Sequence, residues 1–165
     1  MFELKPITRE SLPSAIEKAE RYRMLNEPLE AESICRDVLE LEPDNQRVLT
    51  ILLLALTDQF QERLEPNLGA AQQALARLAD DYSRRYYAGI IDERRAKSCL
   101  SRGGPRSGHV AYHWLRRAME QFEEAAAIRP AGNDDAILRW NTCARMIDLY
   151  PRIEPDSHDG EQPLE

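Results

Sequence analysis

One spacing recurs in this chain and limits what it can fold into. Ala31, Cys35, Val38 and Pro43 are separated by four, three and five residues, and Ala118, Phe122, Ala125 and Pro130 repeat the same steps. Steps of four and three put the first three residues on one helical face. A small residue at the first site lets a neighbouring helix approach closely, and a larger one at the second fills the gap. The proline follows the helix end, where its missing amide proton blocks continuation. Both segments also close alike, as Leu39-Glu40-Leu41-Glu42-Pro43-Asp44-Asn45 and as Ala126-Ala127-Ile128-Arg129-Pro130-Ala131-Gly132-Asn133. Two copies of one helix-and-turn unit imply stacked helix pairs.

The rest of the chain supports an all-helical reading. Clean apolar-polar alternation is nowhere longer than a few residues, which disfavours strands. Breaks at Ser, Asp, Asn and Gly-Pro clusters leave helices over 11–25, 28–41, 45–61, 67–81, 83–100, 108–128 and 134–149. Asn26, Asp44, Asn67 and Asn133 or Asp134 stand where N-caps belong, with side-chain oxygens for the first free amides. The clearest loop is Arg102-Gly103-Gly104-Pro105-Arg106-Ser107-Gly108, because three glycines and a proline in seven residues disfavour a helix. The expected organisation is a lead-in over 1–10, one helical domain over 11–149 and a disordered tail over 150–165, where Pro, Asp, Glu, Ser and Gly dominate.

At 165 residues the chain is long enough to bury a core, and 42% hydrophobic with 31% charged residues is a globular composition. Its longest apolar run, 51–56, is far too short to span a bilayer. Cys35, Cys99 and Cys143 are widely spaced and form no CxxC pair, so neither a zinc site nor a disulfide framework is indicated. With no signal-peptide pattern at the N-terminus, a cytoplasmic location is expected.

The repeated pattern resembles the second helix and closing turn of a tetratricopeptide repeat (TPR). The first full copy runs from Leu12 to Asn45, with Tyr22 at the aromatic position of the first helix and Leu25-Asn26-Glu27-Pro28 as the inter-helix turn. Ala71, Leu75 and Leu78 fit the middle copy, and Tyr86-Tyr87-Ala88-Gly89 fits the opening of a third. Pro43 and Pro130 lie 87 residues apart, more than two repeats of about 34 residues require. The surplus is expected in the turn around 57–66 or in the glycine-rich loop at 102–108. The resemblance is to a small, divergent, bacterial-type TPR protein. It implies an all-α, right-handed α-α superhelix (a TPR-like solenoid) of about seven helices, three repeats plus a final capping helix.

In that family the first helices line a concave groove that holds a peptide or helix from a partner. Projected onto this chain, the groove carries Ile16, Glu20, Arg23, Met24, Arg47, Thr50, Leu54, Thr57, Asp58, Tyr86, Ile90, Glu93, Arg94, Ile137, Asn141 and Arg145. The candidate binding residues are Arg23, Arg47, Thr50, Tyr86, Arg94, Asn141 and Arg145. Guanidinium groups grip carboxylates in a fork, so the expected partner is another protein offering acidic groups. The alternative is that these arginines pair with Glu20, Asp58 and Glu93. The subclass that clamps chaperone C-termini needs a lysine and an asparagine where Ile16 and Glu20 stand, so that role is not expected.

Net charge is -7, yet it is unevenly spread. Residues 83–117 hold nine basic side chains against Asp92 and Glu93, a balance of +7, which leaves -14 elsewhere. Tyr86, Tyr87, Tyr112 and Trp114 interleave that charge, the ingredients of an anion or nucleic-acid surface. The competing reading packs these aromatics into a helical core beside Ile90, Ile91, Leu115 and Met119. His109 and His113 lie four apart, but no third metal ligand accompanies them. No phosphate loop or nucleophile elbow is present, so no catalytic residue, metal or cofactor is expected. Self-association through apolar end helices into a homodimer is a third reading, and membrane contact is not expected.

Overall fold

The structure, a computed structural model, describes residues 2–156. All regular structure among them is helical, with no strand. The order is α1 (Leu12–Met24), α2 (Pro28–Leu41), α3 (Gln46–Asp58), α4 (Phe60–Ala76), α5 (Asp81–Arg102), α6 (Ser107–Ala127) and α7 (Asp135–Leu149). The chain divides into two compact units, Met1–Ala79 and Asp80–Glu165.

In the first unit α1 packs on α2, α2 on α3 and α3 on α4, and α1 also reaches α3. That arrangement explains the apolar run at 51–56. Surrounded by three neighbours, α3 buries Val48, Leu49, Ile51, Leu52, Leu53, Ala55, Leu56 and Thr57, so it is apolar almost all round. Ala31, Cys35 and Val38 of the repeated pattern are fully buried on α2. Helix α1 ends at Met24, and Asn26 just beyond it, with a φ of 61°, turns the chain away. Pro28 then opens α2, where its missing amide proton costs nothing. Asn26 is therefore a C-terminal turn residue and not an N-cap.

Two further caps shift. Asn45, not Asp44, caps α3, its side-chain oxygen accepting from the Val48 amide at 3.1 Å. Asn67 is buried inside α4, with its amide group 3.5 Å from the Leu56 carbonyl. Helix α4 begins seven residues earlier than expected because Phe60 is an anchor, only 1% exposed. Burying such a ring is worth about 2–3 kcal/mol, enough to organise a turn that composition alone assigns to a loop. The irregularity shrinks to Arg63 (φ −137°, ψ 50°), three residues before Pro66. The proline ring and its absent N–H account for the break.

In the second unit α6 packs on both α5 and α7. Ala118, Phe122 and Ala125 are as fully buried as their counterparts on α2. Gly89 of α5 lies against the Phe122 ring so closely that a Cβ there would come within 2.5 Å of it. Helix α5 has 22 residues and α6 has 21, against 13 and 14 for α1 and α2. The surplus between the repeated prolines thus sits chiefly in longer helices. The connection they share is only four residues long, and Gly103 (φ 74°) and Gly104 (φ 112°) supply its left-handed backbone.

The expected disordered tail is corrected at its start. After α7 the chain turns, the Ile153 amide donating to the Tyr150 carbonyl at 2.8 Å. Ile153 is only 3% exposed. Residues 157–165 of that expectation lie outside the described residues.

Candidate functional site

Helices α1 and α3 lie side by side in the first unit and leave a cavity of about 440 Å³ between them. Its lining is Glu20, Arg23, Met24, Arg47, Thr50, Ile51 and Leu54. Arg23, Arg47 and Thr50, three of the candidate binding residues, therefore meet at one place. Each reaches it through helical spacing, since Glu20, Arg23 and Met24 are three and four apart on α1, as are Arg47, Thr50, Ile51 and Leu54 on α3.

The electrostatics differ from a set of open arginines. Arg47 forks onto Glu20, Nε to Oε1 at 2.9 Å and Nη2 to Oε2 at 2.7 Å. That hydrogen bonding holds the Glu20 carboxyl below the usual carboxylate range. Arg23 Nε lies 2.8 Å from Asp58 Oδ2. Both guanidinium groups are thus neutralised by neighbours, and Thr50 spends its hydroxyl on the Gln46 carbonyl at 3.0 Å. What remains is an apolar floor of Ile51 and Leu54, with Met24 at the edge, among ion pairs. Met24 is 84% exposed, an unusual position for a large apolar side chain beside a cavity.

The other four candidates lie in the second unit. Tyr86 stacks on Tyr82, meets Tyr87 edge-on and leans on Phe122, with ring centroids 5.8, 5.0 and 5.9 Å away. It is a packing residue of the α5–α6 seam. Arg94 is half-buried on α5, Asn141 is half-buried on α7, and Arg145 is exposed on α7.

The basic segment is largely consumed by local partners. Arg84 pairs with Asp81, Arg85 with Glu124, and Arg106 with Asp156. Asp92 takes Arg117 at 3.6 Å and Arg95 at 3.9 Å. Burial still drives its carboxyl above the usual range, against the pull of those two cations. Both arginines also face the Trp114 ring, at 3.3 Å for Arg95 and 4.9 Å for Arg117, so the aromatic is clasped by cations of its own chain. Glu93 is fully buried, bound by Lys97 and by Arg139 at 3.4 Å. The neighbouring carboxylates Asp92 and Glu93 therefore anchor the interior of the charge pattern. Sequence spacing gave no sign of that burial, because an acid pair on a helix ordinarily reads as solvated.

Burial pushes the Cys35 and Cys143 thiols up to about 12, which keeps both protonated and poorly nucleophilic at neutral pH. The His109 ring donates from Nδ1 to the Glu154 carbonyl at 3.0 Å. Among the described residues no group of three His, Cys, Asp or Glu side chains is placed to hold a metal ion. No described helix is long and apolar enough to cross a membrane.

Comparison with protein-family models, curated proteins and solved structures returns no match, so function has to be read from the residues themselves.

Proposed function

We propose that this chain is a non-catalytic protein-binding module of the TPR-like kind, working in the cytoplasm, and that its first unit holds a partner segment between α1 and α3. The observation that carries the reading is the α1–α3 cavity, because it joins residues from two first helices in the position the repeat pattern assigns to a ligand groove. The full burial of both repeated triads, Ala31-Cys35-Val38 on α2 and Ala118-Phe122-Ala125 on α6, supports the repeat. So does the packing of α1 against both α2 and α3.

The mechanism follows from the lining. An apolar partner side chain fills the space over Met24, Ile51 and Leu54 and supplies most of the affinity, about 1.5–3 kcal/mol for a side chain the size of leucine. An acidic partner group competes with Glu20 for Arg47. The pair is roughly half exposed, so exchanging one carboxylate for another costs little and confers selectivity more than strength.

A panned peptide library tests this. Thr50→Trp fills the cavity without touching the buried core, and it is expected to weaken selected peptides at least about tenfold, a loss of about 1.4 kcal/mol. Arg47→Glu is expected to weaken only those peptides that carry an acid. Peptides that bind Thr50→Trp as tightly as the parent protein would remove the groove from the account.

A further inference from the structure

A second cavity, of about 380 Å³, lies wholly in the second unit, along the outer face of α6. His109, Tyr112, His113 and Arg116 line it from a single helical stripe, spaced three, one and three apart. The opposite face of α6 carries Ala111, Leu115, Ala118 and Phe122 and is fully buried. The stripe is therefore free of any core duty. The other wall is the chain after α7, through Pro155 and Asp156.

That wall is fixed by three separate contacts. Ile153 is buried, the Glu154 carbonyl takes the His109 ring, and Asp156 pairs with Arg106. Gly108 makes the approach possible, since a Cβ there would fall 1.7 Å from the Arg152 carbonyl oxygen. The space between wall and stripe is thus a built groove.

Its chemistry is basic and aromatic. Asp156 is the single acid among the lining residues, and Arg106 already holds it. Arg116 has no carboxylate partner among the described residues, its guanidinium donating only to Met119 Sδ at 3.9 Å. This sets it apart from Arg84, Arg85, Arg95, Lys97 and Arg117, all paired with acids. The Tyr112 hydroxyl likewise has no hydrogen-bond partner among the described residues.

We propose that this groove binds an extended acidic peptide, with Arg116 taking one carboxylate in a fork and Tyr112 supplying a further donor. From His109 to Arg116 the helix rises roughly 10 Å, the span of about three residues of extended chain. An arginine fork matches the planar carboxylate and gives it direction as well as charge. A nucleic acid is the less suitable occupant. Trp114, the largest aromatic of the lining, is already covered by Arg95, which leaves less open ring for a base to stack on.

Fluorescence anisotropy of the full chain tests the assignment, using labelled (Glu-Gly)4 and (Gln-Gly)4 peptides at low salt. The glutamate peptide is expected to bind and the glutamine peptide to fail. Arg116→Glu and the milder Arg116→Gln should each weaken binding, the former at least about tenfold. Lys18→Glu, an exposed change on α1 equal in charge to the former, should leave it within about twofold. Circular dichroism of the Arg116 variants should match the parent protein. The proposal is overturned by equal binding of both peptides, or by Lys18→Glu weakening binding as much as Arg116→Glu. Tighter binding of inorganic phosphate or a single-stranded RNA oligomer than of the glutamate peptide overturns it too. It stands on the second unit alone, so its outcome is independent of the α1–α3 groove.

Discussion

At the scale of single residues, the clearest local determinant is Asp80 at the head of α5. Its side chain accepts from the Ser83 amide at 2.8 Å. Partial burial pushes its carboxyl up, but the Ser83 hydrogen bonds outweigh that and leave it below the ordinary range. A carboxyl held low in the folded state contributes stability above its unfolded pKa of about 3.9, and that contribution disappears as pH falls through the folded value. Asp80→Ala should therefore cost about 1 kcal/mol near neutral pH, with the gap to the parent protein closing in acid. Urea titrations at several pH values measure it. A gap that stays constant down to the acid limit would remove the cap from the account. The placement of Asp80 was not legible from sequence, which puts the helix start two residues later. Aspartates at 80 and 81 compete for the cap, and only the backbone geometry separates them.

At the scale of elements, the two triads repeated at steps of four and three were legible because they report burial directly. Ala31, Cys35 and Val38 have the same zero exposure as Ala118, Phe122 and Ala125. Periodicity shows which face is buried, but it does not show how far a helix continues past that face. Helix α5 runs past its expected ends through polar residues such as Asp81, Ser101 and Arg102, which carry no apolar periodicity to mark them. Docking of 151–156 was hidden for a related reason. A Pro- and acid-rich composition argues for disorder, while the buried Ile153, the His109 and Arg106 contacts and the close approach allowed by Gly108 hold the segment in place. Gly108→Ala should release it. The substitution is neutral or favourable for the helix itself, by up to about 1 kcal/mol, so any damage falls on the docked segment. Limited proteolysis should then cut near 150–156 faster than in the parent protein, with the helical signal unchanged. Unaltered cleavage would mean that the segment tolerates the added methyl group.

At the scale of the whole molecule, the charge segregation seen in sequence changes meaning. The net of +7 over 83–117 does not describe a bare basic surface. Arg84, Arg85, Arg95, Lys97, Arg106 and Arg117 all have acidic partners. Much of the segment's charge is balanced by acids that the linear count assigned to the remainder, such as Asp81 and Glu124. Salt should thus perturb stability only modestly, since exposed pairs of this kind contribute about 0–1 kcal/mol each. The division into two units also bears on function. The candidate binding residues fall into two sets, with Arg23, Arg47 and Thr50 lining the α1–α3 cavity and the other four in the second unit. The central claim is that the α1–α3 cavity holds a partner peptide. An amide chemical-shift titration with a panned peptide tests it most directly. The account predicts shifts concentrated at Glu20, Met24, Thr50 and Leu54 and absent from the Thr50→Trp protein. Saturable shifts confined to α5–α7, with α1 and α3 silent, would contradict it.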